Sequence, residues 1–291
     1  MSDHKDREVD EVTGTETTQH EWDGIKELNT PLPRWWLWTF YVSIAWSLVY
    51  FVLYPSWPTF SGYTKGMLGY SQRATVAAEL KAAKDAQAAN RDLIAKTALA
   101  DIPKKPELLR FSLGAARIPF AENCAPCHGR GAQGSVGYPN LADDDWIWGG
   151  KIEDIHQTIR YGVRWSHDDT RASDMPRFGL DELLDKAQIN DSAEFVLSLT
   201  NQATDKEAVE RGKAIYAEQC VACHGENGKG NAELGAPNLT NQVWLYGGDK
   251  AAIMTSIHTG RGGKMPQWVG RLDAVTIKAL AVYVHSLGGG R

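Results

Sequence analysis

One five-residue pattern, written twice, constrains this 291-residue chain more than anything else in it: Cys124-Ala-Pro-Cys127-His128 and Cys220-Val-Ala-Cys223-His224. All four cysteines lie in these two copies, which stand at an offset of 96 and are each followed by glycine, Gly129 and Gly225. Pro139-Asn140-Leu141 matches Pro237-Asn238-Leu239 at an offset of 98. The same offset pairs Trp146 with Trp244, Gly149-Gly150 with Gly247-Gly248, Ile155 with Ile253, Ile159 with Ile257 and Gly162 with Gly260. Met175-Pro176 then matches Met265-Pro266 at an offset of 90, the first copy carrying eight extra residues within VRWSHDDTRASD. Landmarks repeated in one order define a tandem duplication of a unit of about ninety residues, too few copies for a solenoid.

Each copy reads as mostly helical, with strand-like alternation nearly absent. Gly212, Tyr216 and Cys220 stand at i, i+4 and i+8, one face of a helix leading into the second motif. Amphipathic helices are expected over 181–199 and 272–287, closing the two copies.

Paired cysteines three apart admit a redox disulfide, or a zinc site completed by histidine. The adjacent histidine favours a third reading, since C-x-x-C-H is the attachment signature of c-type heme. Two thiols on one helical turn can form thioethers to the two vinyl groups of one porphyrin, and the next residue sets an imidazole under the iron. Zinc would need further ligands, and no other cysteine exists. The expected cofactors are therefore two covalently bound hemes c, on Cys124 and Cys127 and on Cys220 and Cys223, with His128 and His224 as axial ligands.

A sixth ligand is still required, and methionine is the usual one in c-type electron carriers. Met175 and Met265 alone among five methionines repeat in register. They are the expected ligands, each in its own copy or crosswise between copies. His156, His167, His258 and His285 are rivals without a repeat, and Met254, which aligns with His156, is assigned to packing. As in single-heme cytochromes c, the carbonyls of Pro139 and Pro237 are placed to accept a hydrogen bond from the axial histidines, which fixes the ring tautomer. Trp146 and Trp244 are expected to wall the cofactor edge, and Arg164, Arg261 and Lys264 to face propionates or solvent.

The N-terminal third differs in kind. Residues 1–34 hold nine Asp/Glu against four Lys/Arg and read as a disordered tail. Residues 35–54 contain no charge, carry Trp and Tyr at both ends and would span about 30 Å as a helix, the thickness of a bilayer core. We read them as one uncleaved membrane anchor, since the stretch is too long and too late for a signal peptide. Residues 55–110, Ala-rich and free of Gly and Pro over 71–100, read as an exposed helical spacer. The expected domains are then 111–204 and 205–291. Flanking positive charge is tied and sets no topology. Bacterial heme attachment takes place outside the cytoplasmic membrane, so maturation rather than charge puts the tail in the cytoplasm and both heme domains in the periplasm of an inner-membrane protein.

A net charge of −5 offers no reason to expect nucleic-acid binding. The charge is uneven. Residues 115–204 hold 8 Lys/Arg and 14 Asp/Glu, net −6, and residues 206–291 hold 10 and 7, net +3. Asp143-Asp144-Asp145 beside Trp146 makes the first domain the expected docking side for any basic partner.

Anchor, spacer and two C-x-x-C-H units with Pro-Asn-Leu and Met-Pro, in that order, resemble the membrane-anchored diheme subunit III (CcoP) family of cbb3-type cytochrome c oxidases. The run WDGIKELNTPLPRWW over 22–36 is similar to that family's segment before its membrane helix. The resemblance implies a mostly α fold with two tandem cytochrome c-like domains. It implies a complex with a heme–copper catalytic subunit and a monoheme cytochrome subunit, with soluble cytochrome c as donor. This chain would carry electrons towards an oxygen reduction performed in another subunit and coupled to proton pumping. A free-standing anchored shuttle and a diheme peroxidase-like enzyme are the alternatives. Covalent attachment at both motifs predicts heme staining that survives denaturing electrophoresis. Cys220→Ala with Cys223→Ala should halve the heme per chain, measured by pyridine hemochrome.

Overall fold

The acidic segment before the apolar run carries its own turn. In the computed structural model, which describes residues 8–288, strands β1 (Thr17–Trp22) and β2 (Ile25–Leu28) pair antiparallel around Asp23-Gly24. Both turn residues have positive φ, 49° and 82°, the two-residue geometry whose twist suits a hairpin. The disorder expected for 1–34 therefore does not hold over 8–34, and residues 1–7 lie outside the described residues. Helix α1 (Arg34–Leu53) follows, shifted by one residue from the expected anchor, and none of its residues is buried. A helix apolar on every side and uncovered by protein suits lipid surroundings. A short loop with strands β3 (Pro58–Thr59) and β4 (Gly62–Tyr63) leads into α2 (Gln72–Lys96).

The chain divides after Asp85, within α2, into two units. The second unit contains α3 (Pro106–Asn123), the single-turn α4 (Ala125–His128), α5 (Ile152–Tyr161), α6 (Lys186–Ser198) and α7 (Lys206–Gln219). The single-turn α8 (Val221–His224), α9 (Lys250–Thr259) and α10 (Ala274–His285) complete it. Exposure along the expected spacer ends near Ile94. Ile94 and Ile102 are fully buried in one cluster with Leu108, Ile152 and Val282. Lys278 of α10 donates to the carbonyls of Ile94, Ala95 and Thr97, a cation on the C-terminal end of α2.

Packing does not follow the sequence repeat. Helix α10, from the second copy, lies against α3 and α5 of the first, and α6, from the first copy, lies against α7 and α9 of the second. One apolar cluster joins Ala116, Phe120, Ile155 and Ile159 with Trp268, Ile277, Leu280 and Val284. The other joins Phe178, Ile189, Ala193 and Leu197 with Ile253 and Ile257. Between them the chain crosses twice. Val163 and Met265 exchange both backbone hydrogen bonds at 3.0 Å, while Met175 N–H donates to the Arg261 carbonyl and Gly179 N–H to that of His258. The boundaries expected at 111–204 and 205–291 are thus not packing boundaries. The contiguous stretch of about 163–262 forms one bundle, inner in sequence, and the flanking stretches 106–162 and 263–288 together form the other, outer one. The reason is that the last helix of each copy buries its apolar face on the first helix of the other.

Four aspartates cap the inner and outer helices: Asp185, Asp205, Asp249 and Asp273 each accept backbone N–H bonds in the first turn that follows. Glu194 of α6 is wholly buried. It accepts from Thr204 N–H (2.8 Å), Thr204 Oγ1 (2.9 Å) and Asp205 N–H (3.2 Å), and pairs with Lys250 at 2.7 Å. Burial alone would raise its pKa, but Lys250 and the three donors outweigh it and bring the value down to about 2. A carboxyl held below its ordinary 4.5 stabilises the fold fully above that pH, and the contribution drains away as pH falls towards 2. Glu194→Ala should cost roughly 3 kcal/mol at neutral pH by leaving buried donors and a lysine unpaired. The gap to wild type should close between pH 4.5 and 2, read from urea midpoints by far-UV circular dichroism.

Candidate heme sites

Each motif begins where a helix runs out. Helix α3 stops at Asn123 and α7 at Gln219, and the next turn closes on the first cysteine. His128 N–H donates to the Cys124 carbonyl at 2.9 Å, and His224 N–H to that of Cys220 at 2.9 Å. Both thiols and the imidazole of a motif therefore share one helical turn. Gly129 and Gly225, at φ 81° and 75°, end it.

The loop after each motif folds back on the histidine. Gly134 N–H donates to the His128 carbonyl at 2.7 Å and Gly230 N–H to the His224 carbonyl at 2.8 Å. Both glycines have positive φ, and a β-carbon on either would collide with the backbone just before or at the proline. That closure brings the Pro139 carbonyl to 2.9 Å from His128 Nδ1 and the Pro237 carbonyl to 3.0 Å from His224 Nδ1. A carbonyl only accepts, so Nδ1 carries the proton and Nε2 keeps its lone pair for a metal. Burial lowers the pKa of both rings, which the proline contacts partly offset, and this favours the neutral imidazole, the form that can offer a lone pair to a metal.

Burial, with the neighbouring thiol adding, pushes Cys124 and Cys220 each up to about 11, the opposite of the lowered value that marks a redox-active thiol. Among the described residues no three His, Cys, Asp or Glu side chains converge as a metal site.

Both tryptophans expected beside the cofactor lie over their Gly-Gly pairs. A β-carbon on Gly150 would collide with the Trp146 ring and one on Gly248 with Trp244, while Gly149 and Gly247 hold φ of 92° and 101°. The methionines are exchanged. Met265 packs in the cluster that holds Cys124, Ala125, Leu141 and Trp146; Met175 packs in the one that holds Ile215, Leu239 and Trp244. Burial, then Arg160 and Lys278, lowers His156 to about 4, and His167 Nδ1 accepts from Asp169 N–H. Arg164 pairs with Asp174 at 2.6 Å and donates to the Gly263 carbonyl, Arg261 donates to Ser256 and lies over Tyr246, and Lys264 is exposed.

A second aromatic pair bridges the two bundles and is absent from the sequence expectations. Trp148 lies against Gly235, and Tyr246 against Gly137. Gly137 N–H also donates to the Leu245 carbonyl, and Asn241 to Asp145. The signal was available, because the offset of 98 pairs Trp148 with Tyr246 and Gly137 with Gly235.

Two turns of this geometry, each with its histidine backed by a proline carbonyl, define paired units of the c-type cytochrome class. The family model described as cytochrome c oxidase, cbb3-type, subunit III matches 115–196 and again 207–284. The N-terminal domain of cytochrome oxidase-cbb3, FixP, matches 14–61. The chain is 53% identical over 295 aligned residues, all of both chains, to the cbb3-type cytochrome c oxidase subunit FixP of Bradyrhizobium sp. (strain ORS 278). It is 52% identical to the subunit CcoP of Azospirillum brasilense, over 98% of this chain and 99% of that one. To the CcoP of Cereibacter sphaeroides it is 50% identical, over 94% and 95%. The chain therefore belongs to the cbb3-type cytochrome c oxidase subunit III family. Its fold class is the expected one: mostly helical, with one N-terminal apolar helix and two tandem cytochrome c-type domains by family match.

Proposed function

We propose that the chain is the membrane-anchored, electron-carrying subunit of a cbb3-type oxidase, taking electrons from a soluble cytochrome c towards a heme–copper catalytic subunit. A monoheme cytochrome subunit is its further partner, and oxygen reduction belongs elsewhere in the complex. The observation that carries this reading is the duplicated His–Pro geometry within a chain that aligns end to end with named subunits of such oxidases. Each site fits one covalently held heme c, which when bound supplies a one-electron iron couple. Cys124, Cys127, Cys220 and Cys223 hold the two groups, His128 and His224 offer Nε2, and Pro139 and Pro237 fix the tautomers. The anchor lies in the bacterial inner membrane, with the N-terminus cytoplasmic and the sites periplasmic. Copurification with a heme–copper subunit under mild detergent tests the assembly, and a lone diheme chain would favour the free shuttle.

Ligation in this reading is crosswise: Met265 serves the site of His128, and Met175 that of His224. The packing of each methionine with the other copy's residues supports it. A thioether in each cluster also argues against the peroxidase-like alternative, which needs an open or releasable position. Met265→His should lower one potential by a sizeable part of the roughly 0.8 V over which axial ligands move heme potentials. In a chain lacking Cys220 and Cys223, so retaining only the first heme, the same shift should persist; its disappearance there would return Met265 to its own copy.

The packing supports a donor side other than the one expected from the sequence. Residues 106–162 with 263–288 hold 8 basic and 8 acidic side chains, net 0, and the inner stretch 163–262 holds 10 and 15, net −5. Asp145 of the expected acidic cluster is engaged by Asn241. A basic donor is therefore drawn to the inner bundle. Glu226→Lys with Glu233→Lys should slow reduction by a basic cytochrome c at low salt within the 10- to 1000-fold range of electrostatic steering. Asp144→Lys with Glu153→Lys should change it less, by stopped-flow across ionic strength. A larger effect of the second pair would restore the first copy as the docking side.

A further inference from the structure

The loop that follows α1 leaves the helix at Tyr54 and returns to it. Met67 N–H donates to the Val52 carbonyl at 2.9 Å and Leu68 N–H to the Leu53 carbonyl at 3.1 Å, satisfying backbone groups that a helix end otherwise leaves open. The Trp57 ring meets Phe51 edge-on at 5.0 Å, and Tyr70 meets Tyr54 edge-on at 5.6 Å. Gly66, at φ 69°, stands where a β-carbon would collide with the Leu53 carbonyl, so glycine is required for the close return. Residues 55–70 are thus a flap fastened at both ends to the last turn of α1, with the β3–β4 hairpin between.

This flap does not look built for water. Lys65 is its only charged residue, and Trp57, Phe60, Tyr63, Met67, Leu68 and Tyr70 are all exposed. Phe60, at the turn of the hairpin, is wholly uncovered. Nothing acidic opposes an anionic headgroup. The composition is that of an interfacial aromatic belt, and the fastening to α1 sets it at the depth where such belts lie.

We propose that the flap is an interfacial lipid anchor, seated with Phe60 at the boundary of headgroups and acyl chains beside the helix it caps. It fixes the depth of α1 and resists its withdrawal. The proposal rests on α1 crossing the membrane, and the test separates the two. An NBD fluorophore is placed on Phe60→Cys in the full heme-loaded chain, reconstituted in phosphatidylcholine liposomes. Ala45→Cys within α1 and Glu233→Cys in the second unit serve as references. The native cysteines, held in thioethers, leave the new thiol as the reactive one. Quenching by doxyl-labelled lipid is compared with quenching by iodide, a ratio in which energy transfer to heme cancels. The Phe60 probe should show a ratio several-fold above that of Glu233 and below that of Ala45, which lies at the middle of α1. A ratio like that of Glu233, with Ala45 still quenched by lipid, overturns the flap and keeps the anchor. Protection of Phe60 from both quenchers means that protein covers the flap, and overturns it too. An Ala45 probe open to iodide removes the anchor and the proposal together.

Discussion

The double crossing of the chain between its two cofactor bundles is the constraint on which the rest depends. It passes through Gly162 and Gly260, at φ 74° and 68°, and a β-carbon on either would strike the carbonyl of the opposite methionine. With glycine at both points, Met265 pairs with Val163, and Met175 reaches Arg261. Each Met-Pro segment is thereby delivered to the other copy's motif, and α10 is free to return to α3. Trp268 N–H, bonded to the carbonyls of Ile159 and Arg160, continues the same seam. Neither bundle closes without a piece of the other copy.

Burying so many helix ends leaves polar groups to satisfy, and the sequence spends its acids there. Aspartate caps are each worth about 1 kcal/mol, more than an exposed ion pair contributes. Asp191 illustrates the tighter case: its carboxylate accepts from Arg211 Nε at 2.7 Å and from a second guanidinium nitrogen at 2.9 Å, a bidentate contact between α6 and α7. Gly212 lets the two helices approach there, since a β-carbon would collide with the Asp191 carbonyl. Many acids of the inner bundle are structural before they contribute to any field.

Much of the site was legible because its chemistry is local. Two thiols and an imidazole within five residues, and a proline eleven or thirteen residues on, declare themselves without a fold. The apolar helix α1 was equally plain from twenty uncharged residues. The tail hairpin is signalled only by Asp23-Gly24, a strong turn pair set in an otherwise acidic stretch whose composition reads as disorder. The buried end of the spacer was missed because its apolar residues, Ile94 and Ile102, are sparse and find their partners far along the chain. The exchange of methionines could not be read at all. Two copies of one pattern bury equivalent residues whether each helix closes its own copy or the other's.

What decides between those pairings is the connection between α6 and α7. Residues 199–205 join them in seven steps, a length at which consecutive helices pack on each other as a hairpin. Closing each copy on itself would instead have to part α6 from α7 and send them to α3 and α10. Glu194 makes parting costly, because its buried carboxylate takes its donors from Thr204 and Asp205 at the start of α7 and its cation from Lys250 at the start of α9. Away from those groups it would be an unpaired buried charge. The helical hairpin is also the contact of lowest sequence separation open to α6, and local contacts close before distant ones reward the chain. Once α6 is committed to α7, the first copy lacks a closing helix, and among the described residues α10 supplies the equivalent apolar face.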